Sequence, residues 1–323
     1  MLFLNLLIIL FSILQDHDQE TYLNYHENIV SAEHLIAGEK FEEALAVYEL
    51  TFNSFDFIFL RDYKVAAQLA LSIGDMEKTY KYLRSGISKG WTLKSVKKNK
   101  FLAPLRREPQ WRVIRLEYNS MRNLFRENLN DSLRGRVHKM FRKDQKKALG
   151  ALLRIGQKAK ERYAEKKFAP HSEEQMARLT DILMEYGYPG ERLTGNDWWA
   201  STIISHHNSI SREYVYQDRI YPDLKPTLLN AVKKGEMSPF EFALMEDWKT
   251  VVESSHESTS FGFLGSIESE SVMRRINENR RKIGLRSIEL RNALIGLENK
   301  TGMDFYLPGS PWQKGKIRIN TGN

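Results

Sequence analysis

Two ionisable residues interrupt apolar helical stripes in the second half of this sequence. After Asn196, the residues Trp199, Ile203 and His207 recur at i, i+4 and i+8, and after Ser238, the residues Phe240, Leu244, Asp247 and Val251 share one face. A helix places such positions on a single stripe. A buried ionisable group needs a partner, so the pattern predicts that His207 and Asp247 meet across the interface of their two helices. Asp247 would then orient His207 as a general base or metal ligand. The competing reading is a structural pair, or a histidine satisfied by a backbone carbonyl, and the residues alone favour it.

The neighbouring pair His206-His207 does not make a chelate, because adjacent helical residues point about 100° apart. His256 and Glu246 would complete a metal site only through tertiary proximity. There is no Gly-rich phosphate loop, nucleophile elbow or His-Glu-x-x-His, so no cofactor and no metal is expected. Gly262 and Gly265 suit a turn. Trp198, Trp199, Tyr214 and Tyr216 read as core, with one side able to line a groove.

The elements that must position these residues are helical. From about Tyr25 to Ser88 the spacing predicts two helical hairpins, Glu27–Ile36 with Phe41–Phe52 and Asp62–Ile73 with Met76–Ile87. The stretches 38–45 and 74–80 resemble the turn and second-helix start of a tetratricopeptide repeat, with Ala44 and Thr79 near the expected period of about 34 residues. Two such units need support from the next stretch of chain. The apolar residues of Phe101-Leu-Ala-Pro-Leu105 and Glu108-Pro-Gln-Trp111, around the helix breakers Pro104 and Pro109, are expected to cap them. Long basic helices follow from Leu116 to Lys167, with Leu129, Leu133, Val137 and Phe141 at i, i+4 steps, and Ala169-Pro170-His171 reads as a boundary. Ser172-Glu-Glu-Gln175 then looks like a capping box. Further helices are expected over Asp197–Tyr216, Leu224–Lys234, Ser238–Ser255, Ile267–Ile283 and Ser287–Asn299. The expectation is an all-α fold: a hairpin domain over 22–115, a basic connector over 116–168, a helical domain over 172–300 and an irregular tail over 301–323.

Composition narrows the function classes. The absence of cysteine excludes disulfides, thiolate metal sites and cysteine nucleophiles. The net charge of +8 is uneven: residues 92–168 hold 23 Lys and Arg against 7 Asp and Glu, and the rest of the chain is net acidic. Such a block can meet nucleic acid or an acidic surface, but a solvated helix face is the expectation, with nucleic acid an unlikely partner. The apolar run Leu2–Leu14 is too short to span a bilayer, which needs about 20 residues. It fits the h-region of a secretory signal ending near residue 15, which implies export with no transmembrane span in the mature chain. The alternative is a buried N-terminal helix in a cytoplasmic protein.

Several passages together resemble an uncharacterised bacterial family (family 6624), in which tetratricopeptide-like helices precede a C-terminal domain of unknown function. The likeness is carried by Gly90-Trp91-Thr92, Pro109-Gln-Trp111, Asp144-Gln145, Gly187-Tyr188-Pro189 and Arg281-Lys-Ile-Gly-Leu285. Where the family shows Gln-His, Asp-Arg and Tyr-Gly-Thr-Gln, this chain has His206-His207, Asp247-Trp248 and Phe261-Gly-Phe-Leu264. The resemblance implies that Asp144, Gln145, His206 and Trp248 lie near a binding site, to which the aromatic cluster would add Trp199, and the altered positions imply that any family active site is changed here. The combined expectation is an exported, non-catalytic interaction protein with a protein or peptide partner. The alternative is a hydrolase centred on His207 and Asp247.

Overall fold

In the first hairpin α1 (Tyr22–Ala37) turns into α2 (Phe41–Ser54), and in the second α3 (Leu60–Ser72) turns into α4 (Met76–Ser88). The apolar spacing decides the buried faces: Leu45 and Tyr48 on α2, and Ala66, Leu69 and Ala70 on α3, are enclosed. Asp75 caps α4 by accepting from the Lys78 amide at 2.9 Å, a contact that satisfies one orphan helix donor. Thr79 is buried, and a Cβ on Gly86 would lie 2.9 Å from the Trp91 ring. Small side chains there let the elements approach. The computed structural model describes residues 21–309 and 315–319. Among these, all regular structure is helical and no strand occurs. The Leu2–Leu14 run lies outside the described residues. Among the described helices none is long and apolar enough to cross a membrane.

After the hairpins come α5 (Leu93–Lys98), a 3-10 turn (Ala103–Arg107) and α6 (Pro109–Glu127). Leu102, Leu105 and Trp111 join the hairpin core, as the cap reading expected. That core is completed from the far end of the sequence. Leu290, Leu294 and Leu297 on the last helix, α16 (Ile288–Thr301), and then Met303 and Phe305, pack into it. Gln68 Nε2 donates to the Asp304 carbonyl at 2.6 Å, and Asn99 Nδ2 donates to the Tyr306 hydroxyl at 2.9 Å.

The second core gathers α7 (Asp131–Leu152), α9 (Ala169–Tyr186), α11 (Trp199–His207), α13 (Ile220–Lys233) and α14 (Pro239–Glu253). Leu133, Val137 and Phe141 on α7 are buried there. Short helices α8 (Gln157–Tyr163), α10 (Glu191–Thr194) and α12 (Arg212–Gln217) link these, and α15 (Glu270–Lys282) precedes the last helix.

Two sequence expectations change. The Ser172 capping box does not form. A π-helical turn over Ala164–Phe168 carries α8 into α9, with the Ala169 amide donating to the Ala164 carbonyl. The shifted register suits Pro170, which has no amide to donate. The chain is therefore helical through the expected boundary at 169–171, and Ser172 points inward. The single helix expected over Asp197–Tyr216 is interrupted: Asn208 turns in to donate to the Met245 carbonyl at 3.0 Å, and Ser211 caps α12 through the Tyr214 amide at 3.2 Å. Ser238 does begin α14 with both bonds of a capping box.

Candidate functional site

His207 lies on the buried stripe of α11 and is fully enclosed. Helix α11 packs against α14, as expected, but His207 does not pair with Asp247. Its Nδ1 lies 3.0 Å from Ser172 Oγ, and its Nε2 lies 3.2 Å from Asp218 Oδ1, close enough for an ion pair but without good hydrogen-bond geometry. The predicted pair is thus replaced by a Ser172–His207–Asp218 chain. Asp218 in turn accepts from the Ile220 and Tyr221 amides. Burial opposes its charge, but His207 and these amides hold its carboxyl below the ordinary range. Serine, histidine and carboxylate in series suggest nucleophilic chemistry. Here Ser172 and His207 are both at 0 % exposure, so the hydroxyl is enclosed by the protein in this structure.

Asp247 has a different task. Its Oδ1 accepts from Thr259 Oγ1 at 2.9 Å and from the Ser260 and Phe261 amides at 2.8 and 2.6 Å. Its Oδ2 accepts from the Phe263 and Leu264 amides at 2.6 and 3.3 Å. One buried carboxylate thereby organises the loop from Thr259 to Leu264. The other side of that loop is held by buried Arg280, whose Nε donates to the Phe261 carbonyl at 2.6 Å and whose guanidinium lies over the Phe263 ring. Arg280 closes α15 in a Schellman arrangement, its carbonyl accepting from the Leu285 amide across Gly284 at φ +71°, a left-handed position that favours glycine. Two motifs of the family resemblance, Asp247-Trp248 and Phe261–Leu264, therefore meet.

A second meeting joins Asp144 and His206. The Asp144 carboxylate is fully buried on α7, and its Oδ2 lies 2.5 Å from His206 Nδ1, while the His206 side chain is 27 % exposed. Among the described residues Asp144 Oδ1 has no hydrogen-bond partner, nor do the buried atoms His171 Nε2, Gln175 Oε1 and Ser205 Oγ. The adjacent histidines face different helices, His206 towards α7 and His207 towards α9. Among the described residues no three His, Asp or Glu side chains are placed to hold a metal. Glu246 is bound by Tyr221 and Lys225, each at 2.5 Å. Trp199 is buried, stacked on His138 at 4.5 Å with Arg134 over its ring. Gln145 and Trp248 are half-buried, and Trp198 and Tyr216 are exposed rather than core.

The sequence reading missed an open cleft with a cavity volume of about 140 Å³. It lies between α1, the start of α3, the α10 turn and the segments 284–286 and 306–308. Buried Glu33 on α1 forms the ionic frame behind it. Arg286 reaches both its oxygens, at 2.5 and 2.7 Å, and Arg61 binds it as well. Arg61 Nη1 also meets Asp62 at 3.0 Å, and Asp62 accepts from Tyr25 at 2.5 Å. Burial alone would raise the Glu33 carboxyl, but Arg286 and Arg61 hold it below its ordinary value. His26, buried beside them, is pushed down to about 3 by burial and by those two arginines, and its Nε2 has no partner among the described residues. Across the cleft, Glu191 Oε1 accepts from the Leu60 amide at 2.6 Å, while burial and the Asp197 carboxylate raise the Glu191 carboxyl to about 8. One signal was available in sequence: Glu33 interrupts the Ile29, Ala32, Ile36 stripe of α1 as Asp247 interrupts its own. Arg286 stands 253 residues from Glu33, and no spacing announces it.

Compared with protein-family models, with curated proteins and with solved structures, the chain matches none of them.

Proposed function

We propose that the protein works by binding rather than by catalysis, as an exported bacterial interaction protein whose partner is a protein or peptide received at the cleft between α1, α3 and α10. The observation that carries this reading is the enclosure of both candidate catalytic residues. His207 and Asp247 are at 0 % exposure and engage internal partners, whereas the cleft combines apolar walls with charged groups and opens to solvent at the exposed Asp197. Such mixed concave surfaces are the usual sites of recognition. The test is site-specific photocross-linking in the native host, with benzoylphenylalanine at position 240 in the cleft and at exposed Met184 as control. A discrete product from position 240 alone is expected. Equal labelling from both positions, or none from position 240, would remove the cleft from the reading. Export rests on the Leu2–Leu14 run and predicts a mature N-terminus near Gln15. N-terminal sequencing that finds Met1 retained in the cytoplasmic fraction would overturn it.

One observation favours a second, hydrolytic reading at a different residue. His206 is partly open to solvent and is oriented by the buried Asp144 carboxylate, the arrangement a general base needs. The substitution that separates the readings is Asp144→Asn, assayed against a panel of ester and peptide substrates. A measurable hydrolysis lost in Asp144→Asn with folding intact would support the second reading, and no hydrolysis by the wild type would sink it.

A further inference from the structure

One buried polar atom of the cleft has no hydrogen-bond partner among the described residues. His26 is 6 % exposed and lines the cavity, and it is its Nε2 that lacks a partner among the described residues. A buried unpaired polar atom costs free energy, so its persistence in the lining of an open cavity points to a group that arrives from outside. The charges around it identify that group. Arg61 and Arg286 also line the cavity, but Glu33 and Asp62 already match them through direct contacts. Two carboxyls remain, Asp197 and a Glu191 whose pKa is raised to about 8 by burial and by Asp197, and the Lys64 ammonium that interacts with both lies over the Tyr306 ring at 4.8 Å. Asp197 and His26 Nε2 are thus left as acceptors in the lining of the cleft. Its walls are Ile29, Val30, Phe59, Phe240 and Leu285, suited to an aliphatic stem and to a flat cation lying against aromatic rings.

We propose that this cleft receives a single cationic side chain of a partner polypeptide, an arginine or a lysine, whose N–H groups are accepted by Glu191, Asp197 and His26 Nε2. An arginine fits better than a lysine, since its planar fork offers donors to separated acceptors and stacks on aromatic faces. His26, held neutral, keeps a lone pair for the incoming donor in its Nδ1–H tautomer. Gly284 backs this arrangement: a Cβ there would meet His26 Cβ at 2.5 Å, so the segment that supplies Leu285 and Arg286 sits directly against the ring.

This inference rests on the reading of the cleft as a docking site. Its test uses the full chain and three small probes, acetyl-arginine methylamide, acetyl-lysine methylamide and the neutral isostere acetyl-citrulline methylamide, followed by calorimetry and by the His26 ring signals. The expected result is saturable binding of the arginine probe, at least tenfold weaker binding of the citrulline probe, and a shift of the His26 resonances only with the cations. Glu191→Gln combined with Asp197→Asn should weaken the arginine probe tenfold or more while leaving the citrulline probe unchanged. Equal binding of the arginine and citrulline probes, or no binding of either cation, would overturn the inference. Cross-linking from position 240 that persists after such a failure would leave the docking reading standing without its cation. Loss of that cross-link would remove both.

Discussion

Glu33 and Asp247 are the same kind of residue in sequence, an acid set into an apolar helical stripe, and the protein uses them in opposite ways. Glu33 is surrounded by guanidinium groups from two other places in the chain, Arg61 and Arg286, and so fixes the last segment against the first helix. Asp247 takes mainly backbone amides, plus the Thr259 hydroxyl, from one loop 12 to 17 residues further on. The first carboxylate joins distant segments and the second shapes a local one. A buried acid on an apolar stripe therefore announces that a partner exists but not whether that partner is a side chain, a loop or a substrate.

The contrast predicts different responses to loss. The largest effect is expected at Glu33: Glu33→Ala strands two buried guanidinium groups and should cost about 3–5 kcal/mol in a denaturant titration. Replacing Glu33, Arg61 and Arg286 together by apolar residues of similar volume should recover much of that loss, and failure to recover would show that the site does more than join segments. Next comes Asp247→Ala, expected to cost about 3 kcal/mol because several buried amides lose their acceptor. Hydrogen exchange should then accelerate at residues 260–264, whereas Glu33→Ala should leave those amides protected. Smaller still is the coupling between His207 and Asp247. A double-mutant cycle should give less than about 0.5 kcal/mol, as for residues sharing no partner, while Ser172→Ala with His207→Ala should exceed it. A large His207–Asp247 coupling would restore the pair that the structure separates.

A separate effect, read as a pH profile rather than at one pH, is expected at Glu191, whose neighbours are Asp197, Lys64, Asp62 and the Leu60 amide. Its folded carboxyl is raised from 4.5 to about 8. Between those values the folded chain holds a proton that the unfolded chain has lost, so this group's contribution falls as pH rises through the window. Glu191→Gln should match the wild type near pH 5 and melt at a higher temperature than it at pH 9. Identical melting profiles across that range would place the Glu191 titration elsewhere.

Much of the architecture was legible because it depends on local rules. Gly74-Asp75 and Ser238-Pro239 mark helix starts that the backbone honours, and the stripes through Tyr48, Leu69, Val137 and Ile203 fall on buried faces. The misses have physical causes. Ser172 has the pattern of a cap, but the π turn before Pro170 lets the helix begin earlier. Asn208 reads as helical until its amide finds the Met245 carbonyl. His207 and Asp247 were each correctly placed on a buried face, yet their partners, a serine on α9, Asp218 and a set of backbone amides, follow no sequence period. The cleft was least legible, because its frame joins residues as far apart as 33 and 286.

The last helix completing the first core has a consequence for how the protein comes into being. A chain made from its N-terminus presents Tyr25, Ile36 and Tyr48 long before Leu290, Leu294 and Phe305 exist to cover them. At synthesis rates of about 5–20 residues per second, that gap lasts on the order of ten seconds or more. Throughout that interval the hairpins lack one wall, and Glu33 lacks Arg286. Any cellular factor that recognises uncovered apolar helices has that interval in which to act, and the finished state becomes available only when the final segment arrives.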